Sequence, residues 1–289
     1  MTIKYLQSCS RGLLGTALAL WAVTSWLPVS AAPKAELWQR WVAHEPGSSA
    51  SIDHQSWDRL LSRYVTAHGD GINRVAYARV SDIDRRVLAN YIAGLAAKPI
   101  SRFARDEQLA YWINLYNALT VKLVLDHYPV DSIRDIKFGG GWFRAGPWRS
   151  KVIQIEGEEL SLDDIEHRIL RPIWKDPRLH YALNCAALGC PNLHRAAYTP
   201  SNMDRVLEIG AHAFINHSRG ARVSDGRLYV SSIYEWFQED FGDSDQGVID
   251  HLLRYASPEL KSALKGIGRI ADDAYDWTLN DADAAAKVD

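Results

Sequence analysis

The chain of 289 residues is poor in sulfur, with three cysteines and two methionines. Three cysteines cannot build the dense disulfide framework of a small secreted domain, and no second cysteine pair is present to complete a four-thiolate zinc site. Charge of one sign is also lacking: 33 basic residues face 35 acidic ones, for a formal charge of −2. No Lys/Arg run forms a phosphate-tracking stripe, so nucleic acid is not an expected partner. Absent too are a Gly-x-Ser-x-Gly elbow, a phosphate-binding glycine loop and a His-Glu-x-x-His helix, which removes the usual support for serine-hydrolase, nucleotide-binding and zinc-protease chemistry. Neither a metal nor a cofactor is expected.

One long apolar run exists, "GLLGTALALWAV", and it is too short to span a bilayer comfortably. Lys4 and Arg11 precede its core and the small residues Val29-Ser30-Ala31 follow, which is the pattern of a secretory leader cleaved after Ala31. Cys9 lies in the basic region and not at the cleavage point, so no lipoprotein anchor is indicated. The expectation is an exported, soluble, periplasmic protein with no membrane span once residues 1–31 are removed.

Eleven tryptophans offer a large apolar surface for a core. From Ala35 to about His68 the pattern is helical, and Ser81 with Asp84 marks the capped start of a second helix. Pro99 closes this segment, so residues 32–100 read as an N-terminal helical part and 101–280 as the main domain, with 281–289 a polar tail. "EQLAYWINLYNALTVKLVLDHYP" is apolar on nearly all sides, as a helix enclosed by other elements must be. "KVIQIEG" and "RLHYALNC" read as strands, and Ser161 with Asp164 opens a helix to Leu170. A helix from about Asn202 to His217 and a hairpin turning at Asp225-Gly226 follow. With no regular βαβ repeat, the class expected is α+β: largely helical, with a small, mostly antiparallel sheet and a buried central helix.

Chemistry centres on "LNCAALGCPNL". Strand alternation delivers Cys185 to a strand end, where a thiol becomes reactive if an imidazolium or a helix N-terminus lowers its pKa. His167, His180 and His194 are the candidate partners. A helical wheel puts His167 off the Leu162, Ile165 and Ile169 stripe with Asp163 on its side, while Glu166 lies nearer the buried face. Strand alternation sends His180 to the face opposite Cys185. The rival is a Cys185–Cys190 disulfide, favoured by an oxidising compartment. Asn114 and Asn117, three apart, project from one edge of the central helix and need partners. The loop "FGGGWFRAGPWRS" offers Trp142, Phe143 and Trp148 as flat contact area for a ligand.

Five stretches in order, "AYWINLYNALTV", "LSLDDIEHRILRP", "DPRLHYALNCAALGCPNL", "IYEWFQEDFG" and "YDWTLN", resemble the domain of unknown function 547 family over roughly residues 103–280. The resemblance implies motif positions for Asn114, Asn117, Glu166, His167, His180, Asn184, Cys185, Cys190, Pro191, Asp276 and Trp277, and not for His194. By analogy with thiol hydrolases of the papain and transglutaminase type, Asp276 or Asn114 would orient the imidazole. The expectation is an exported thiol-dependent hydrolase or acyltransferase, with catalytic residues drawn from Cys185, His167, His180, Glu166, Asp276 and Asn114. Asn117, Trp142, Phe143, Trp148 and Asn184 would bind a small envelope molecule or peptide. The alternative is a non-enzymatic binding domain braced by Cys185–Cys190.

Overall fold

The computed structural model describes residues 33–138 and 146–283. The expected leader and the tail from residue 284, together with Trp142 and Phe143, lie outside the described residues. Among the described residues no helix is long and apolar enough to cross a membrane.

The single helical pattern expected over 35–68 is broken in two. A 3-10 turn spans Gln39–Val42 and helix α1 spans Gln55–Tyr64. Pro46-Gly47 falls between them, and the Glu107 carboxylate takes the Ile52 N–H at 2.6 Å, holding the connection extended. α1 buries Trp57, Leu60, Leu61 and Tyr64, the expected three-and-four spacing. Strands β1 (Val65–Ala67) and β2 (Asn73–Val75) pair antiparallel around Gly71. Helix α2, Asp82–Ala96, starts where Ser81 Oγ accepts the Asp84 N–H, as its spacing predicts. Helix α3, Arg105–His127, is buried without a break from Ala110 to Val121 and is the central helix. Side chains from α1, α2 and α3 share one core cluster, so position 100 marks a change of layer and not of core.

Strands β3 (Ile153–Ile155) and β4 (Glu158–Leu160) form a hairpin where one strand was expected. Ser161 and Asp164 then cap each other reciprocally, with Asp164 N–H to Ser161 Oγ at 3.1 Å and Ser161 N–H to Asp164 Oδ2 at 2.8 Å. The helix they open runs as a π-helical turn over Asp164–Leu170 before helix α4, Arg171–Trp174. The strand expected over "RLHYALNC" is instead a 3-10 turn, Pro177–Tyr181. Pro177 at its first position and Asp176, whose carboxylate accepts the Arg178 N–H at 2.9 Å, start a helical turn. Local capping outweighs an apolar-polar alternation only a few residues long.

Helix α5 spans Met203–Ile215, strands β5 (Ala221–Ser224) and β6 (Arg227–Ser231) turn at Asp225-Gly226, and α6 (Ser232–Trp236), α7 (Asp245–Tyr255) and α8 (Pro258–Ala263) follow. Strand β7, Ile270–Ala274, lies parallel to β6, while the other strand pairs are antiparallel. The result is α+β. Tyr181 belongs to a second apolar cluster with Phe214, Tyr234 and Leu252, whereas Leu183 and Ala186 belong to the first. The cysteine loop therefore starts at the seam between the two clusters.

Candidate functional site

The loop 182–191 is held from below by asparagines. Asn117 Nδ2 donates to Ala182 O at 2.9 Å while its Oδ1 accepts the Asn184 N–H at 2.9 Å. Asn184 in turn accepts the Ala186 N–H and donates to Pro191 O, both at 2.9 Å. These two residues, expected to touch substrate, spend their amides on the loop itself, which satisfies backbone groups that burial would otherwise strand. Asn114 does the same for a neighbouring loop, exchanging two hydrogen bonds with the Tyr198 backbone at 2.7 and 3.0 Å. No imidazole lies on either amide of α3 among the described residues.

From above, the strap 275–280 closes on the loop. Leu188 N–H reaches Thr278 O and Gly189 N–H reaches Asp276 O, each at 2.8 Å, and Ala187 bridges Leu279. A Cβ on Gly189 would sit 2.6 Å from Asp276 N, so only glycine admits the strap at this height. Asp276 is exposed, and its carboxylate accepts the Thr278 N–H at 2.9 Å, shaping its own turn. Ala186, directly after Cys185, has a left-handed φ of 58°, a conformation that costs a residue bearing a Cβ about 1–2 kcal/mol.

Between these layers the two sulfurs lie 2.9 Å apart as free thiols, well beyond the ~2.05 Å of a disulfide bond. Cys190 Sγ also accepts the Cys185 N–H at 2.9 Å, and Cys185 Sγ meets the Tyr275 hydroxyl at 2.7 Å. Cys190 is buried and Cys185 partly exposed. The pair shares protons unequally. Donation to Cys190, then burial, hold the Cys185 thiol well above its ordinary value. Burial pushes Cys190 up as well, but the Cys185 thiol and N–H and the Tyr275 hydroxyl outweigh it and bring Cys190 below the ordinary thiol value. The first proton lost from the pair therefore leaves its charge on Cys190.

His167 and His180 form a separate cluster, and neither ring hydrogen-bonds to Cys185. His180 Nε2 lies 2.7 Å from Asp240, its Nδ1 lies 3.9 Å from Glu166, and Phe237 stacks on its ring at 4.5 Å. The strand-based expectation that His180 faces away from the sulfur has lost its premise, because no strand is there. His167 is buried, not set apart from the core as the wheel suggests. The π turn shifts the register by part of a turn, and the N-terminal segment lies on it, with Glu36 N–H on His167 O and Trp38 N–H on Arg168 O, both at 2.9 Å. Burial lowers the His167 pKa to about 4. Its Nε2 lies 3.7 Å from Asp163, a carboxyl that burial and then Glu166 raise to about 6. Arg171 bonds both Glu239 and Asp240. A cavity of about 480 Å3 lined by Ala35, Leu37, Arg171, Lys175, Glu239 and Asp240 reaches this cluster.

Glu166 links the two groups, since its charge acts on both Cys185 and His167. An aromatic wall adjoins the thiols through Tyr275. Tyr275 packs on Trp277 at 4.6 Å and on Trp236 at 4.9 Å, and Trp148 meets Trp277 edge-on at 5.5 Å. All four rings are partly exposed. His194 is elsewhere, on Ala196 O at 3.0 Å. Sequence reasoning missed Tyr275, Trp236, Phe237 and Asp240. Each lies in or beside "IYEWFQEDFG" or "YDWTLN", and nothing local in either stretch ties a tyrosine to a sulfur about ninety residues away. Among the described residues no three His, Cys, Asp or Glu side chains converge as metal ligands would.

Fold and site together define an α+β protein with a partly exposed dithiol beside an aromatic wall, which adjoins a histidine–carboxylate cluster through Trp236 and Phe237. Residues 100–215 match the model of the family described as Protein of unknown function, DUF547. Asn114, Asn117, Glu166, His167, His180, Cys185 and Cys190 fall inside that stretch, whereas Tyr275 and Trp277 lie beyond it. No curated protein and no solved structure matches the chain.

Proposed function

We propose that the chain is an exported thiol-dependent hydrolase or acyltransferase acting on an amide- or peptide-type carbonyl of the cell envelope. The observation that carries this reading is the contact of Cys185 Sγ, partly open to solvent, with the Cys190 sulfur at 2.9 Å and the Tyr275 hydroxyl at 2.7 Å. In the proposed reaction the pair starts with Cys190 as the thiolate, which takes the Cys185 proton as the Cys185 sulfur attacks the carbonyl carbon. The C–N bond breaks, the proton moves from Cys190 to the leaving amine, and a Cys185 thioester remains. Water or a second amine then takes the acyl group and returns the thiol. Cys190 thus fills the place of the expected histidine as proton acceptor. Glu166, with His180 oriented by Asp240, is the proposed base for the water of the second step.

The test is to incubate the purified protein with a panel of short peptides and amides, following products and any acyl mass on Cys185 by mass spectrometry. Cys185→Ala is expected to lower turnover by at least about 10³-fold. Undiminished cleavage by that variant would overturn the proposal.

The same 2.9 Å separation favours a second reading, a binding domain braced by a Cys185–Cys190 disulfide in an oxidising compartment. Counting free thiols in protein isolated from its native compartment separates the two. Permanently joined sulfurs leave the hydrolase without a nucleophile.

A further inference from the structure

Arg219, half-buried on the connection between α5 and β5, has an environment unlike that of Arg171 and Arg178. Its Nη1 donates to Leu188 O and its Nη2 to Asn192 Oδ1, each at 2.7 Å, so it spans the turn on both sides of Cys190. Arg171 and Arg178 meet carboxylates at 2.5–2.8 Å, but among the described residues no carboxylate forms an ion pair with Arg219. Its Nε is buried and bonds to nothing described. Asp70, the acid that acts on it, is held by Arg74 at 2.5 Å. A half-buried cation without a counter-charge is held at a cost that an anion formed beside it offsets.

We propose that Arg219 is a positioning residue of the thiol site: clamped across the turn that carries Cys190, its guanidinium is the fixed positive charge against which negative charge on the sulfur pair develops. The proposal rests on the reading of the cysteine pair as the reactive centre and not on any particular substrate. Among the described residues the charged and titratable groups near the sulfurs are few. Tyr275 donates from the strap, Glu166 on the π turn opposes ionisation of Cys185, and Tyr77 and Tyr116 lie below with hydroxyls that stay protonated. Arg219 is the cation among these described groups, and its charge favours the thiolate form of Cys190 just as Cys190 favours the charged guanidinium. It lies four residues past the stretch that the family model matches.

The test is the rate of iodoacetamide alkylation of Cys185 and Cys190, read by peptide mass mapping between pH 5 and 10, in the wild type and in Arg219→Met, Arg219→Gln, Arg219→Lys and Asn192→Ala. Circular dichroism identifies the folded variants. Loss of the charge in Arg219→Met or Arg219→Gln is expected to move the midpoint up by about one pH unit, a roughly tenfold slowing below it. Arg219→Lys is expected to restore most of the shift, and Asn192→Ala, which keeps the charge and loses one clamp bond, to leave the midpoint in place. An unchanged midpoint in a folded charge-deleted variant would overturn the proposal, as would an equal shift in Asn192→Ala. A wild type whose thiols do not titrate at all instead sinks the reactive-centre reading itself.

Discussion

Cys185 is defined by its immediate neighbours more than by its own chemistry. The Tyr275 hydroxyl at 2.7 Å favours ionisation of Cys185, working against its donation to Cys190 and its burial. Tyr275→Phe removes that donor while keeping the ring on Trp236 and Trp277, so Cys185 alkylation at a fixed pH near 8 is expected to slow several-fold, at about 1–2 kcal/mol for one hydrogen bond to a charged sulfur. Equal rates in both proteins would show that the hydroxyl leaves the thiolate unaided. Ala186 carries its Cβ into the left-handed region. Ala186→Gly removes that cost but loosens the unfolded chain, so a net gain of about 0.5 kcal/mol in urea unfolding is expected. Destabilisation instead would mean that the methyl group packs more usefully than its backbone suggests. At this scale the sequence is only partly legible. Cys185 and its companion could be picked out, but the partner of the sulfur is a phenol from the end of the chain, and a search for imidazoles passes over it.

At the scale of elements, the cysteine loop is a sandwich of α3 below and the strap 275–280 above. Gly189→Ala puts a methyl carbon 2.6 Å from Asp276 N and must lift the strap. Because both the packing and the Tyr275 contact depend on the strap, a loss of about 1–3 kcal/mol and a changed alkylation profile are expected together. Unchanged values of both would mean that the strap yields without consequence. The central helix could be read in advance because its twelve successive buried positions are apolar but for Asn114, Asn117 and Thr120, and Ser81 and Ser161 announce helix starts through a local bond three residues long. The π turn could not be read in this way. Its register depends on the N-terminal segment laid across it, and a wheel drawn at 3.6 residues per turn misplaces His167 as a result. The false strand at 178–185 failed for a related reason: a few alternating residues carry less information than one proline behind a capping aspartate.

For the whole molecule, burial keeps three histidines neutral. His54, His167 and His251 are each lowered to about 4, mainly by desolvation. An unfolded chain takes up these protons near pH 6.5, so their contribution is complete above about 6.5 and is lost as the pH falls toward 4. Asp163 works the other way. Raised to about 6, it binds a proton in the native state that the unfolded chain releases near 4, and it offsets one histidine in that window. Two net protons remain, which makes stability rise with pH by no more than about 3 kcal/mol per unit between roughly 4 and 6. Urea midpoints measured from pH 4.5 to 7.5 should climb accordingly, and a flat series would show that the rings titrate normally in the native protein.

The strap bonded over Leu188 and Gly189 also sets an order of events. A polypeptide made from its N-terminus presents both sulfurs long before residue 275 has been added. During that interval Cys185 has neither its phenolic neighbour nor its cover, and it is as open to oxidants and to other thiols as any cysteine on a nascent chain. Completing the thiol site is thus among the last acts of folding, and a chain stopped short of residue 275 carries both sulfurs without the hydroxyl that tunes them or the strap that covers them.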